Sequence, residues 1–142
     1  MHLLEKLLQD WKARGHRMTK TRTALLSLFM EETAPLSVDE IETRLKKKRI
    51  TANPSTLYRE LDFLKTENFL SEIVLDGPKR RFEWSHREHH HHLYCEKCKG
   101  IEEVEMDNEL AELQLSIQKK KGFKISSHTL EFFGLCKNCK NA

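Results

Sequence analysis

The chain has 142 residues, of which 38% are hydrophobic, with 25 Lys and Arg, 22 Asp and Glu, and a formal net charge of +3. This length allows one or two small domains, and no stretch is apolar for long enough to cross a membrane, so we expect a soluble protein. The positive excess lies in residues 1–84, which carry 16 basic and 13 acidic side chains, whereas residues 85–142 carry 9 of each.

Two amphipathic helices are predicted near the start of the chain. Leucines and a tryptophan recur at helical spacing over residues 3–11, and Gly15 ends that segment. A second apolar stripe covers residues 25–29 and begins near Thr19. Residues 12–22 contain five basic side chains and no acidic one. That cluster favours attraction to phosphate, although a solvated helix face has the same composition.

A capping box predicts the start of a third helix, because the Ser37 hydroxyl and the Glu40 carboxylate can satisfy free amides there. This helix ends in the basic run 46–49, which either complements the helix dipole or contacts phosphate. Asn53 followed by Pro54 then predicts a sharp start for a fourth helix, since a cap is followed by a proline at the first helical position.

The fourth helix is amphipathic and has a polar outer side near its start. Leu57, Leu61 and Leu64 fall on one side of this helix. The opposite side and its flanks carry small or polar residues: Ser55, Thr56, Tyr58, Arg59, Asp62 and Thr66. A recognition helix needs this arrangement, because its first turns enter the major groove while the other side packs on its own domain. An ordinary amphipathic surface helix has the same pattern.

A β-hairpin is predicted after the fourth helix. Residues 69–75 and 80–84 have strand-like sequences and are separated by the turn sequence Asp76-Gly77-Pro78-Lys79. Helices followed by a hairpin with a basic tip, residues 79–81, describe a winged helix that binds duplex DNA with both elements. The first domain is therefore predicted to be a winged-helix DNA-binding domain over residues 1–84.

The second half predicts a ββαβ order, with strands at 91–95 and 101–105, a helix at 107–121 and a third strand at 123–133. The whole chain is thus expected to be an α+β protein whose second domain, residues 85–142, is a small α/β domain. Leu110, Leu113 and Ile117 are expected to form the inner face of its helix. A domain this small gains much from a structural metal.

Every cysteine belongs to a Cys-x-x-Cys pair, either Cys95 with Cys98 or Cys136 with Cys139. Two such turns supply the four sulfurs of a tetrahedral zinc site. Disulfides are disfavoured, because the first residues lack the apolar run and cleavage site of a secreted protein. A thioredoxin-like redox pair would leave the second pair unexplained. Tetrahedral sulfur ligation also suits iron, so the sequence alone leaves zinc and iron open.

Four adjacent histidines lead into the first strand of the second half. Successive side chains of a strand point to opposite faces, so His90 and His92 share one face while His89 and His91 share the other. The four histidines can therefore serve two separate sites. A solvated surface imidazole is the alternative for any one of them.

In order and approximate spacing, these motifs resemble the ferric uptake regulator (Fur) family. The resemblance covers nearly the whole chain and rests on residues 15–22, 55–59, 83, the histidine-rich stretch into 93–98, 122–128 and 134–136. It implies a homodimeric bacterial transcription factor of the cytoplasm, not an enzyme. Its winged-helix domain would bind double-stranded operator DNA, expected to be an inverted repeat, under the control of a divalent metal held in an α/β dimerisation domain.

The resemblance implies DNA contacts from two segments. Tyr58 and Arg59 would contact DNA from the recognition helix, whereas Arg17 and Arg22 would do so near the minor groove or the backbone. The same two segments supply the remaining expected DNA-binding residues: Thr19, Ser55 and Thr56.

The resemblance also implies two metal sites besides the sulfur site. The regulatory site would use Glu83, His90, His92 and Glu103. The second site would use His89, His91 and His128, with Glu112 as its acid, although Glu109 is equally near the expected position. The chain departs from the family pattern at the regulatory site, because residues 34–36 lack the histidine that often completes this site in the family.

The metal at the regulatory site is expected to be Fe(II). Nitrogen and oxygen ligands suit Fe(II) or Mn(II) at least as well as Zn(II). Zinc-sensing relatives often add a cysteine, and peroxide-sensing relatives commonly have aspartate in place of Glu103. Members sensing zinc, manganese or peroxide stay as alternatives. A metal-buffering protein would not explain the fourth helix or the basic hairpin, and a metallohydrolase would need a catalytic arrangement such as His-Glu-x-x-His.

Overall fold

The computed structural model describes residues 2–85 and 90–141. The chain divides into two compact units, Met1–His86 and Arg87–Ala142. The described residues form five helices and six strands: α1 His2–Ala13, α2 Lys20–Glu31, β1 Leu36–Ser37, α3 Val38–Lys47, α4 Pro54–Thr66, β2 Leu70–Asp76, β3 Lys79–Trp84, β4 His91–Cys95, β5 Ile101–Val104, α5 Asp107–Lys121 and β6 Glu131–Gly134. Within this part of the chain, no helix combines the length and apolar character needed to cross a bilayer.

Side-chain caps fix the starts of three helices in the first unit. Thr19 accepts a hydrogen bond from the N–H of Arg22 at 3.1 Å and caps α2. Ser37 caps α3 in the same way. Asn53 Oδ1 accepts from the N–H of Thr56 at 2.8 Å, which caps α4. Each cap satisfies an amide that has no partner inside its helix, so these starts are determined locally.

The predicted hairpin is part of a three-stranded sheet with the order β1-β3-β2. β2 and β3 pair antiparallel from Leu70 opposite Trp84 to Asp76 opposite Lys79. β1 adds to the other edge of β3, with Leu36 opposite Phe82. Sequence reasoning missed β1, because a two-residue strand is too short to show alternation.

The core of the first unit combines the apolar sides of its helices with the inner face of this sheet. Leu57, Leu61 and Leu64 are fully buried, which confirms the predicted inner side of α4. Trp11 is also fully buried, and its ring meets Phe69 edge-on with centroids 4.5 Å apart. The winged helix is therefore held together by ordinary hydrophobic packing.

The predicted basic tip of the hairpin is largely neutralised by acidic neighbours within the first unit. Arg81 is 4% exposed and binds Asp76 and Glu40. Arg80 binds Asp62 and Glu72, each at 2.6 Å. Two of the three expected basic residues are thus paired with acidic groups of the hairpin, α3 and α4 and are not free charges.

The second unit has the predicted ββαβ order, and its sheet has the strand order β5-β4-β6. β4 pairs antiparallel with β5 and parallel with β6. The predicted third strand at 123–133 is wrong in extent, because β6 covers only Glu131–Gly134. A parallel neighbour needs a long crossover, and residues 122–130 serve with α5 as that connection.

The expected packing of α5 is wrong for two residues. Leu113 is 54% exposed and Ile117 is 41% exposed. The helix ends at Gly122, whose φ of 61° lies in the left-handed region that favours glycine. Periodicity indicates which side of a helix is apolar but not what covers that side, so α5 presents apolar side chains to solvent in a single copy of the chain.

Candidate metal centres and nucleic-acid surface

The two Cys-x-x-Cys turns meet in the second unit. β4 ends at Cys95 and pairs with the end of β6 at Gly134, which brings the turn after β4 beside the turn after β6. The four Sγ atoms lie within 4.8 Å of one another, and those of Cys98 and Cys136 are 3.8 Å apart. A tetrahedral zinc ion with Zn–S bonds of about 2.3 Å has sulfur–sulfur edges of about 3.8 Å. All four cysteines are free thiols, so the cluster fits structural zinc and not disulfides.

The charges of this sulfur cluster also favour a cation. The N–H groups of Cys98 and Cys136 donate to the Sγ of Cys95 and lower the pKa of that thiol to about 6. The neighbouring Cys136 side chain is the main reason that the pKa of Cys139 rises to about 12. Four adjacent thiolates repel one another, and a divalent ion removes that repulsion by coordinating all of them.

Gly100 makes room for one of these sulfurs. A Cβ atom at this position would lie 3.2 Å from the Sγ of Cys98. The Gly100 carbonyl also accepts a hydrogen bond from the N–H of Cys95 at 2.9 Å, which closes the turn. Sequence reasoning did not single out this glycine, although its place two residues after the second cysteine of the turn was a usable signal.

Two of the expected regulatory ligands lie side by side at the start of β4. The rings of His90 and His92 have centroids 4.8 Å apart, and His92 is 3% exposed. Glu103 on β5 is the cross-strand partner of His92, so the two side chains point to the same face of the sheet. Glu83 belongs to the first unit, where it is 7% exposed on β3.

The expected second site places two imidazoles together. The Nε2 atoms of His91 and His128 are 3.4 Å apart. His91 Nδ1 lies 3.2 Å from the carbonyl oxygen of Leu130, which can only accept a hydrogen bond. Nδ1 therefore carries the proton, and the Nε2 lone pair of His91 is directed towards His128, as a metal ligand requires. Glu112 is exposed on α5, and His89 lies outside the described residues.

The expected DNA-binding residues of α4 form an exposed surface around its start. Ser55 and Arg59 are exposed, and Tyr58 is 41% exposed. Thr56 is half-buried, and its N–H is bound by the cap of the helix. This surface presents a phenol, a guanidinium and small polar groups, which suit contacts to base edges and phosphates.

The expected DNA-binding side chains in and before the start of α2 differ in their exposure. Arg17 is exposed, whereas Thr19 is half-buried and caps α2. Arg22 is turned inward, because its guanidinium binds Glu60 and the carbonyl oxygen of Arg17. Of the expected DNA-binding side chains in this segment, Arg17 is the one most available to a partner.

Comparison with known proteins agrees with this architecture. Residues 13–133 match the sequence profile of the Ferric uptake regulator family. The ferric uptake regulation protein of Helicobacter pylori is 32% identical over 140 residues, covering 99% of this chain and 93% of that protein. The peroxide operon regulator of Bacillus subtilis is 28% identical over 138 residues, covering 97% and 94%.

A solved structure extends the likeness to three dimensions. The structure of the Helicobacter pylori ferric uptake regulator, described as having three functional metal binding sites, matches with a TM-score of 0.84 and 33% identity. The match covers 99% of this chain and 93% of that one. The α+β fold with a winged helix and a four-cysteine zinc site, predicted from the sequence, is confirmed. The chain belongs to the ferric uptake regulator family and is a metal-responsive transcriptional regulator.

Proposed function

We propose that this regulator is a repressor controlled by divalent iron, which binds an inverted-repeat operator as a homodimer in the bacterial cytoplasm. The observation that carries the proposal is the His90 and His92 pair, with Glu103 beside it, in a chain whose first unit is a winged helix. A pair of adjacent imidazoles, one of them buried, next to a carboxylate suits a metal sensor, and the winged helix would bind the DNA.

The exposed start of α4 supports DNA binding. Tyr58 and Arg59 project from the first turns of a helix whose other side is fully buried, as a recognition helix requires. Arg17 adds a cation from the segment before α2. Phosphate contacts would dominate the affinity, so we expect operator binding to weaken steeply as salt increases.

The second unit supports a homodimer. Its exposed apolar side chains are too many and too large for a surface that stays in water: Leu113, Leu115, Ile117, Phe123, Phe132, Phe133 and Leu135. A second copy of the chain would cover them with an identical surface, which is the usual arrangement of a twofold dimer. Twofold symmetry of the protein would be mirrored in the operator.

Glu83, His90, His92 and Glu103 would hold the regulatory ion. When bound, a divalent cation attracts carboxylate and imidazole ligands at once. Glu83 precedes His90 by seven residues, so this ligand set has members on both sides of the boundary between the units. A bound ion shifts a conformational equilibrium only through its different affinity for the DNA-binding state and the inactive state. Coordination by these four residues would supply such a difference.

The other expected sites have separate roles. Cys95, Cys98, Cys136 and Cys139 would hold zinc permanently and stabilise the second unit. His91 and His128 would belong to a second site, together with His89 and Glu112. Zinc, manganese and peroxide sensing are the alternatives to the proposed iron response, and one relative is a peroxide operon regulator. Elemental analysis, with selection of bound DNA under Fe(II), Mn(II) and Zn(II) and after peroxide treatment, distinguishes these alternatives.

The decisive experiment compares two histidine pairs. A His90→Ala, His92→Ala double variant should lose metal-dependent operator binding in a gel-shift titration while retaining one zinc per chain. The matched control is a His91→Ala, His128→Ala double variant, which removes two imidazoles from the same unit and should retain the metal response. Undiminished metal dependence in the first variant would refute the proposed regulatory site. Metal uptake without DNA binding by the parent would indicate a buffer, and metal-dependent turnover would indicate an enzyme.

A further inference from the structure

Arg22 carries a positive charge in a basic segment, yet its side chain is only 13% exposed. Its Nε donates to Oε2 of Glu60 at 2.9 Å, and its Nη2 donates to Oε1 at 3.1 Å. The Glu60 side chain is itself only 17% exposed. A two-pronged contact between guanidinium and carboxylate fixes both distance and orientation, so this pair sets the position of α2 against α4.

The remaining contacts of Arg22 tie a third segment to this pair. Its Nη1 donates to the carbonyl oxygen of Arg17 at 2.8 Å. Its guanidinium carbon lies 4.2 Å from the centre of the Phe63 ring, which is also on α4. One side chain therefore joins the loop that presents Arg17 to the helix that presents Tyr58, and both are surfaces expected to contact DNA.

We propose that Arg22 is a positioning residue that holds α4 and the Arg17 loop in register for operator binding and does not itself neutralise a DNA phosphate. Glu60 directly follows Arg59, so loss of the pair releases the backbone next to an expected DNA contact. The inference rests on the proposed DNA-binding function and deepens it, because it explains how two separate contact surfaces keep a fixed spacing.

A second ion pair on α4 provides the contrast. Asp62 binds Arg80 of the hairpin, and its side chain is 55% exposed. Asp62 lies two residues after Glu60, about 200° around the helix. An exposed pair contributes little to positioning, because solvent screens it and the side chains give up conformational freedom to form it. Glu60 and Asp62 thus carry the same charge on the same helix in different structural roles.

The experiment compares Glu60→Gln with Asp62→Asn, using operator DNA selected by the parent protein with Mn(II). Each substitution removes one negative charge near DNA, so long-range electrostatics alone would make both variants bind as tightly as the parent or more tightly. Under the positioning proposal, Glu60→Gln weakens operator binding by about tenfold or more, since a charged hydrogen-bonded pair is broken. Asp62→Asn should stay within about twofold of the parent. Equal affinities for the two variants would overturn the proposal.

Variants of Arg22, the basic member of the Arg22–Glu60 ion pair, test the same inference. Arg22→Lys keeps the charge but loses the two-pronged contact, so it should weaken binding about as much as Arg22→Gln, with the parental dependence on salt. A phosphate contact would give the opposite result: Arg22→Lys would bind normally, and Arg22→Gln would reduce the slope of log affinity against log salt by about 0.9 for each subunit, or about 1.8 for the homodimer. Arg17→Gln is the control expected to reduce that slope.

A double variant separates positioning from independent effects. Arg22→Gln combined with Glu60→Gln should cost no more affinity than the worse single variant, whereas additive losses would contradict the proposal. Far-UV circular dichroism and zinc content confirm folding, and if Arg22→Gln does not fold, Arg22→Lys and Glu60→Gln carry the test. If the parent binds no operator, both proposals fail. If the parent binds and only the variant pattern differs, the positioning role alone is wrong.

Discussion

The two units of this regulator are stabilised by different physical means. Among the described hydrophobic residues that are buried, all but Tyr94 and Cys95 lie in the first unit. The second unit leaves large apolar side chains in solvent, including Phe123 at 65% and Leu115 at 56% exposure. Its four cysteines lie together at the ends of the paired strands β4 and β6. A metal bound there would hold the two strands together without a hydrophobic core. We therefore expect the first unit to fold by burial alone, and the second to need the proposed zinc ion and the proposed second copy of the chain.

The largest expected effect comes from removing one sulfur. Cys98→Ser should abolish zinc retention and unfold the second unit, because structural zinc contributes about 10–16 kcal/mol in small modules and domain stability is of the order of 5–15 kcal/mol. The first unit should keep its own cooperative unfolding transition. Elemental analysis, circular dichroism and sedimentation measure these effects.

Lys97→Ser is the matched control for that variant, since it places the same residue one position earlier in the same turn. Lys97 is exposed and should tolerate the change with zinc retained. A Cys98→Ser protein with the zinc content, helix content and sedimentation of the parent would show that the sulfur cluster is not structural.

A core substitution in α4 should have the next largest effect, and it should act on the first unit. Leu61 is fully buried, so Leu61→Ala should lower the free energy of unfolding by about 2–5 kcal/mol while zinc content stays unchanged. Val74→Ala is the control, because Val74 is 64% exposed and its loss should cost less than about 0.5 kcal/mol. Denaturant unfolding followed by tryptophan fluorescence reports on the first unit, which contains Trp11 and Trp84. If Leu61→Ala released zinc instead, the two units would not be stabilised separately.

The parts of the fold that follow from local chemistry were predictable. The caps at Ser37 and Asn53 act within three residues, and the buried side of α4 follows from helical spacing. The meeting of the two cysteine turns was also predictable, because tetrahedral metal chemistry requires four ligands together. The family resemblance added the expected metal-ligand sets and DNA contacts.

The parts that depend on distant partners were not predictable from the residues. The sequence alone suggests that three arginines are free positive charges. In the structure each of them binds an acidic residue far along the chain or across the hairpin: Arg22, Arg80 and Arg81. Ile117 is 41% exposed in a single copy, and under the proposed homodimer a second copy would cover it. Spacing identifies side chains that share a face, but the neighbour on that face is a property of the tertiary or quaternary structure.

An acidic residue on the apolar side of α5 should test the need for a partner. Ile117→Glu should raise the dissociation constant of the homodimer by at least about a hundredfold, because the interface would have to bury an unpaired carboxylate. Lys48→Glu introduces the same side chain at an exposed position of the first unit and should leave the dimer intact. Analytical ultracentrifugation over a concentration series compares them. A dimeric Ile117→Glu protein would mean that another surface joins the two copies.

The smallest expected effect concerns how the two units start their helices. Asn53 caps α4 with its side chain, whereas α5 begins after Met106 without a side-chain cap. Asn53→Ala should therefore lower the free energy of unfolding of the first unit by about 1 kcal/mol, because the N–H of Thr56 loses its partner. Ser55→Ala is the control in the first turn, since Ser55 is exposed and is not the cap. Thermal unfolding of both variants measures the difference. If Asn53→Ala unfolded at the same midpoint temperature as the parent, tertiary packing alone would fix the start of α4. Met106→Ala should change the stability of the second unit far less through capping, since its helix has no such bond to lose.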